Sequence, residues 1–192
     1  EYIKLIEEAK DAIDIPVIAS LNCVTDKWWL DYAKEIQNAG ANGVELNIAI
    51  MPRNNGETPE SVEKRYIKII RNIKPELIFV NYFDDTHQDH RAVATSTISA
   101  TRYIRNVLFY EVPTTQNFNP NVFVDIEDVL EDKKRLLEAH KSQVFATRIA
   151  DLNILESAQS TAYFRGYQGR VKHAEGFVSL RLSLFFGKGK KC

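Results

Sequence analysis

Leu77-Ile78-Phe79-Val80, followed after a short bridge by Asp84-Asp85-Thr86-His87-Gln88-Asp89-His90, is the stretch that decides the fold of this chain. The apolar run reads as a buried strand, and a helical pattern opens at His87 and continues to about Tyr103. Polar, metal-competent side chains thus stand at the carboxyl end of a strand, on a turn feeding a helix. Open α/β sheets place their ligands at such turns. No other segment of the chain concentrates as much chemistry.

Working outward toward the amino terminus, residues 1–13 carry apolar side chains at helical spacing, and Ile15 to Ser20 is a short strand with Pro16 at its entry. Asp26 is a candidate N-cap for a helix through Trp28, Trp29, Tyr32 and Ile36 that stops at Gly40. One of the two tryptophans is expected in the core and the other partly exposed. Gly43 to Ile48 is a second strand, Met51 to Gly56 a turn region, and Thr58-Pro59-Glu60 the start of a helix to about Ile73. The order αβαβαβ with near-continuous apolar strands predicts a parallel sheet covered on both faces.

Toward the carboxyl terminus, strands are expected at Asn106–Tyr110 and Asn121–Asp125, joined by a long loop marked by Pro113, Asn117, Asn119 and Pro120 near the same sheet edge. Helices are expected over Glu127–His140 and from Gln143 to about Phe164, with His140 favouring the end of the first electrostatically. Gly166, Gly169 and Gly176 read as turn residues before a last, edge-type strand over Phe177–Phe186, and Lys188–Cys192 as a basic end. The predicted fold is one α/β domain, a Rossmann-like α/β/α layering around a mostly parallel sheet of about five or six strands.

At 192 residues the chain can bury a sizeable core, and its net charge of −1 gives no reason to expect nucleic acid as a partner. Two cysteines, Cys23 and Cys192, form no disulfide framework and suggest a reducing, cytoplasmic setting. No apolar run approaches the roughly 20 residues that span a bilayer, so no membrane partner is expected. The chain opens on Glu1-Tyr2 and reads as a piece cut from something longer.

From about Pro75 onward the chain resembles the LmbE-like, PIG-L family of zinc-dependent N-acetylsugar deacetylases. The residues that carry the resemblance are 74–80 leading to Asp84–His90, then 102–111, 121–126, 137–143 and Val171 to Phe177. Residues 1 to about 73 resemble part of a different family, the flavin-binding TIM barrels similar to dihydroorotate dehydrogenase, through Ile15 to Asn22 and Tyr32 to Asn47. Together the two resemblances imply a chimera, a barrel-derived segment 1–73 and a deacetylase-derived segment 74–192, packed as one domain.

The deacetylase resemblance implies that His90 is a zinc ligand, that His87 stabilises the oxyanion and protonates the leaving amine, and that Asp89 orients its neighbours. His87 and His90, three apart at a helix start, share one face. The family's early His-Pro-Asp-Asp motif, which supplies two further ligands and the general base, is absent. At the corresponding strand end stand Ser20-Leu21-Asn22-Cys23, then Asp26, so Cys23 and Asp26 are the substitute donors to consider. Asp84 and Asp85 flank the cluster, and Glu111 is a candidate for substrate contact. The structural alternative is that Thr86-x-x-Asp89 is a capping box and nothing more. The barrel family's base is also missing after Asn47, and Arg165 and His173 receive no role. The expected function is therefore a deacetylase-type amide hydrolase, acting on an N-acetylated sugar through zinc at an incomplete site, weak or inactive, with a homo-oligomer expected. The alternatives are a non-catalytic α/β protein and, last, a fragment of a flavin oxidoreductase.

Overall fold

Helix α1 (Tyr2–Ala12), strand β1 (Ile18–Leu21), helix α2 (Asp26–Asn38), strand β2 (Gly43–Leu46) and helix α3 (Pro59–Ile73) follow one another in the order their periodicity predicts. Among the described residues there follow strand β3 (Leu77–Asn81), helix α4 (Gln88–Ala100), strands β4 (Asn106–Tyr110) and β5 (Val122–Asp125), a 3-10 turn over Glu127–Val129, helices α5 (Leu130–Ala139) and α6 (Ile154–Gly169) and strand β6 (Ala174–Arg181). The computed structural model describes residues 1–22, 26–47, 58–140, 144 and 153–184. Cys23, the turn region Met51–Gly56, most of 143–152 and the basic end lie outside the described residues. The chain divides into two units, Glu1–Pro75 with Thr95–Ile104, and Glu76–Ala94 with Arg105–Cys192.

In the first unit β1 and β2 pair in parallel, from Ile18 opposite Gly43 to Leu21 opposite Leu46. Ile6, Ala19, Leu21, Trp29, Ile36, Ala39 and Ile69 form its core. Of the two tryptophans, Trp29 is 2% exposed and Trp28 is 49% exposed, the division expected from a helix with one buried stripe. Helix α3 starts as predicted: Pro59 fills the first turn, where a missing N–H costs least, and the Thr58 side chain accepts the Ser61 N–H.

The second unit holds a four-stranded sheet in the order β3-β4-β6-β5. β3 and β4 are parallel, and β6 runs antiparallel to both β4 and β5. The fold is therefore mixed α/β with two sheets, a correction to the single, mostly parallel sheet of five or six strands. Nor is β6 an edge strand: it lies between β4 and β5. Hydrophobic runs report burial and not direction. Direction follows from where α6 delivers the chain. The Ile126 N–H donates to the His173 carbonyl, so the chain enters β6 beside the end of β5 and must run back along it, Ala174 opposite Asp125 and Phe177 opposite Val122.

Helix α6 also corrects the reading of two glycines. Gly166 and Gly169 lie inside the helix, which ends at Arg170 in a left-handed conformation. A Cβ on Gly166 would sit 2.4 Å from the Lys172 carbonyl oxygen, and one on Gly169 would sit 2.9 Å from the Cβ of Phe123. Both glycines serve close approach of backbone to backbone or strand, not a turn.

Candidate functional site

The second-unit sheet ladder does not stop at the end of β3. Tyr82 N–H donates to the Tyr110 carbonyl, and the next residues are zipped onto the loop after β4. Gln116 N–H donates to the Asp84 carbonyl at 2.8 Å, Thr86 N–H to the Thr114 carbonyl at 3.1 Å, and Asp85 bridges Thr115. The Asp84 carboxylate accepts from the Asn117 amide at 2.9 Å. Asn117 itself takes a left-handed conformation that asparagine tolerates better than most residues.

Asp85 is the centre of this turn. Its side chain is fully buried. One oxygen accepts the His87 N–H at 2.7 Å and the other the Thr115 hydroxyl at 3.1 Å. That second oxygen also lies 3.2 Å from His90 Nδ1, close but without the angle of a formed hydrogen bond. Burial alone would raise the Asp85 pKa. The His87 N–H, the neighbouring Thr114 hydroxyl (which makes no formed bond of good geometry), the His90 ring and the Thr115 hydroxyl together outweigh it and hold the group at about 2. Arg91 closes the turn from the other side, donating to the Asp85 and Thr86 carbonyls at 2.6 and 2.9 Å.

The two histidine rings stack, with centroids 4.6 Å apart and planes at 25°. His87 Nδ1 accepts the Asp89 N–H at 3.3 Å, which assigns the ring proton to Nε2 and presents a donor outward. An Nδ1–H of His90 directed at Asp85 leaves Nε2 as the lone pair, the arrangement in which a carboxylate orients a metal-ligating histidine. The capping-box reading changes accordingly: α4 begins at Gln88, and the bonds that close its entry come from Asp85 and His87. Asp89 is exposed in the first turn, where its charge suits the helix's positive end.

Of Asp84, Asp85, His87, Asp89 and His90, which sequence reasoning singled out together, Asp85, His87 and His90 lie against one another, while the Asp84 carboxylate turns to Asn117 and Asp89 is exposed. That reasoning missed Thr115 and Asn117; the Pro- and Asn-rich loop between β4 and β5 was the available signal. Glu111 stands past the end of β4, but both its oxygens are engaged by Arg165, at 2.6 and 2.7 Å. His173 packs its buried ring against Tyr163. Asp26 begins α2 in the first unit, and Asn22 and Asn47 are exposed at the ends of β1 and β2.

No family model matches the chain. Several solved structures share its fold. The conserved protein TT1542 from Thermus thermophilus matches with a TM-score of 0.59 and 16% identity over 98% of this chain and 92% of that one. The N,N'-diacetylchitobiose deacetylase from Pyrococcus horikoshii matches at 0.52 and 19% over 93% and 77%. GalB, the 4-carboxy-2-hydroxymuconate hydratase from Pseudomonas putida, matches at 0.52 and 16% over 98% and 92%. These likenesses span almost the whole chain, so they lend no support to a barrel-derived first part or to a chimera. The fold is one that hosts deacetylases, and a hydratase as well.

A catalytic zinc needs about three protein ligands and an open position. Among the described residues no group of three His, Cys, Asp or Glu side chains converges. His90 with its carboxylate, and His87 stacked on it, do not fit such an ion. Among the described residues, too, no helix is long and apolar enough to cross a membrane.

Proposed function

We propose that this chain is a deacetylase-type amide hydrolase fold, built for N-acetylated sugars, whose metal site is incomplete and whose hydrolytic activity is weak or absent. The observation that carries the reading is the buried Asp85 carboxylate, bonded by His87 N–H and Thr115 and standing 3.2 Å from His90 Nδ1. A helix entry needs no carboxylate inside the protein to be capped, whereas a carboxylate beside the ring is one of the groups that hold a metal-ligating histidine in one orientation. His90 is the metal-facing ring of this reading, His87 the outward donor suited to a developing oxyanion or a leaving amine, and Asp85 rather than Asp89 the residue that orients them. The shared fold with a chitobiose deacetylase supports the substrate class.

The test is metal analysis after dialysis together with acetate release from N-acetylated chitooligosaccharides, for wild type and a His87→Ala, His90→Ala double variant. Wild type should retain more zinc than the double variant yet well under one ion per chain, with acetate release near the variant's. Equal zinc in both would remove the metal-facing role of the histidines. One tightly held zinc per chain with rapid acetate release would show that the site is complete, against the reading.

A further inference from the structure

The Glu111–Arg165 pair is an enclosed ion pair, and it sits at the root of the loop that holds the candidate site. Arg165 is 7% exposed and lies on α6. Its Nε and Nη2 make a two-pronged contact with the Glu111 carboxylate, and its Nη1 donates to Gln168 at 2.7 Å. The same guanidinium lies over the Phe118 ring, 5.4 Å from its centroid, and over Phe164 at 5.1 Å. Glu111 opens the loop between β4 and β5, and Phe118 lies toward its far end. Between them Val112 and Thr115 close a turn on each other, Val112 N–H to the Thr115 hydroxyl and Thr115 N–H to the Val112 carbonyl. From that turn the loop reaches Asp84, Asp85 and Thr86 through four hydrogen bonds: the Thr115 hydroxyl donates to Asp85, the Thr114 carbonyl accepts from the Thr86 N–H, and the Gln116 N–H and Asn117 amide donate to Asp84.

We infer that Arg165 is a positioning residue for the Asp85–His90 turn, acting through Glu111 and Phe118 on the loop strung between them. The inference rests on the reading of His90 as the metal-facing ring, and deepens it. A planar guanidinium can bind a carboxylate with two donors while its face takes an aromatic ring, which a lysine ammonium cannot do. The pair is placed where a sheet strand ends, so it fixes the direction in which the loop leaves β4. What it orders is a hydrogen-bonding surface for the turn, not a contact with substrate.

The experiment uses the full metal-free chain, so its result does not depend on whether zinc binds or acetate is released. Amide exchange and the ¹⁵N pattern of the His90 ring are followed in wild type, Arg165→Lys, Glu111→Gln and an Arg165→Met, Glu111→Gln double variant. Removing one partner of a buried pair is more disruptive than replacing both by groups of similar volume, so the double variant is the one expected to keep the fold. The Thr86 and Gln116 amides should exchange at least about tenfold faster in each folded variant, while the β4–β6 ladder changes by less than about threefold. In wild type the His90 ring should favour the Nδ1–H tautomer beside Asp85; the variants should shift it toward a mixture, and Arg165→Lys should not restore it. Wild-type protection of both amides in a folded variant would overturn the inference. Equal acceleration of loop and ladder would also overturn it, because the pair would then stabilise the unit as a whole.

Discussion

Asp85 is a buried carboxylate that stays ionised well below the usual range, and this makes the candidate site a pH-dependent part of the fold. Its value falls from 3.8 to about 2 on folding. A depressed carboxylate pKa contributes stability that is fully present above the unfolded value, and that contribution is lost as pH falls through the folded one. The loss should therefore lie between about pH 4 and pH 2, and amount to about 2–2.5 kcal/mol in the metal-free chain. Urea unfolding of wild type and Asp85→Asn across that range should show the slope in wild type and a flatter curve in the variant. At pH 7 the variant should be less stable, because an amide cannot accept from His87 N–H, Thr115 and the His90 ring with both of its heteroatoms. Parallel curves for the two proteins would mean that Asp85 does not carry the acid dependence. At this scale the sequence was informative about which residues cluster and silent about which carboxylate meets the ring. Asp85 and Asp89 are equally acidic on paper, but in the fold the His87 N–H and the Thr115 hydroxyl hold Asp85 inward while Asp89 stays exposed.

Elements were more legible than their pairing. Helix starts carry local chemistry, and Thr58-Pro59 announces α3 because its capping bond is made within four residues. The antiparallel insertion of β6 depends on where a helix far along the chain ends, which no window of periodicity contains. Gly166 and Gly169 show the same gap from the other side, since glycine signals a turn and a close contact alike. The contact reading makes a prediction. Gly166→Ala would gain up to about 1 kcal/mol of helix propensity in an open helix. In α6 the added methyl meets the Lys172 carbonyl at 2.4 Å, backbone that cannot rotate away. Overpacking of this kind costs about 1–3 kcal/mol. Urea denaturation should show a net loss for Gly166→Ala, and a gain would return the glycine to the role of a replaceable helix residue.

At the scale of the molecule, the two units each have a core, yet among the described residues the sheet of the first has two strands. A two-stranded sheet is marginal alone, and here helices α1, α2 and α3 supply the rest of the buried surface. Helix α4 runs without a break across the unit boundary between Ala94 and Thr95, so its first turns belong to the second unit and its last to the first. Helix formation is cooperative along one segment, and melting one half of α4 removes hydrogen bonds from the other. We therefore expect the chain to unfold as one domain. The tryptophans make this measurable, because both lie in the first unit. Phe109, 1% exposed in β4, belongs to the second. Phe109→Ala should destabilise its own unit by about 3–5 kcal/mol, the usual cost of truncating a buried phenylalanine. If the units are coupled, the urea midpoint read by tryptophan fluorescence should fall together with that read by far-ultraviolet circular dichroism. A fluorescence midpoint that stays at the wild-type value while the circular dichroism becomes biphasic would show two independently stable units, with α4 fraying at the boundary.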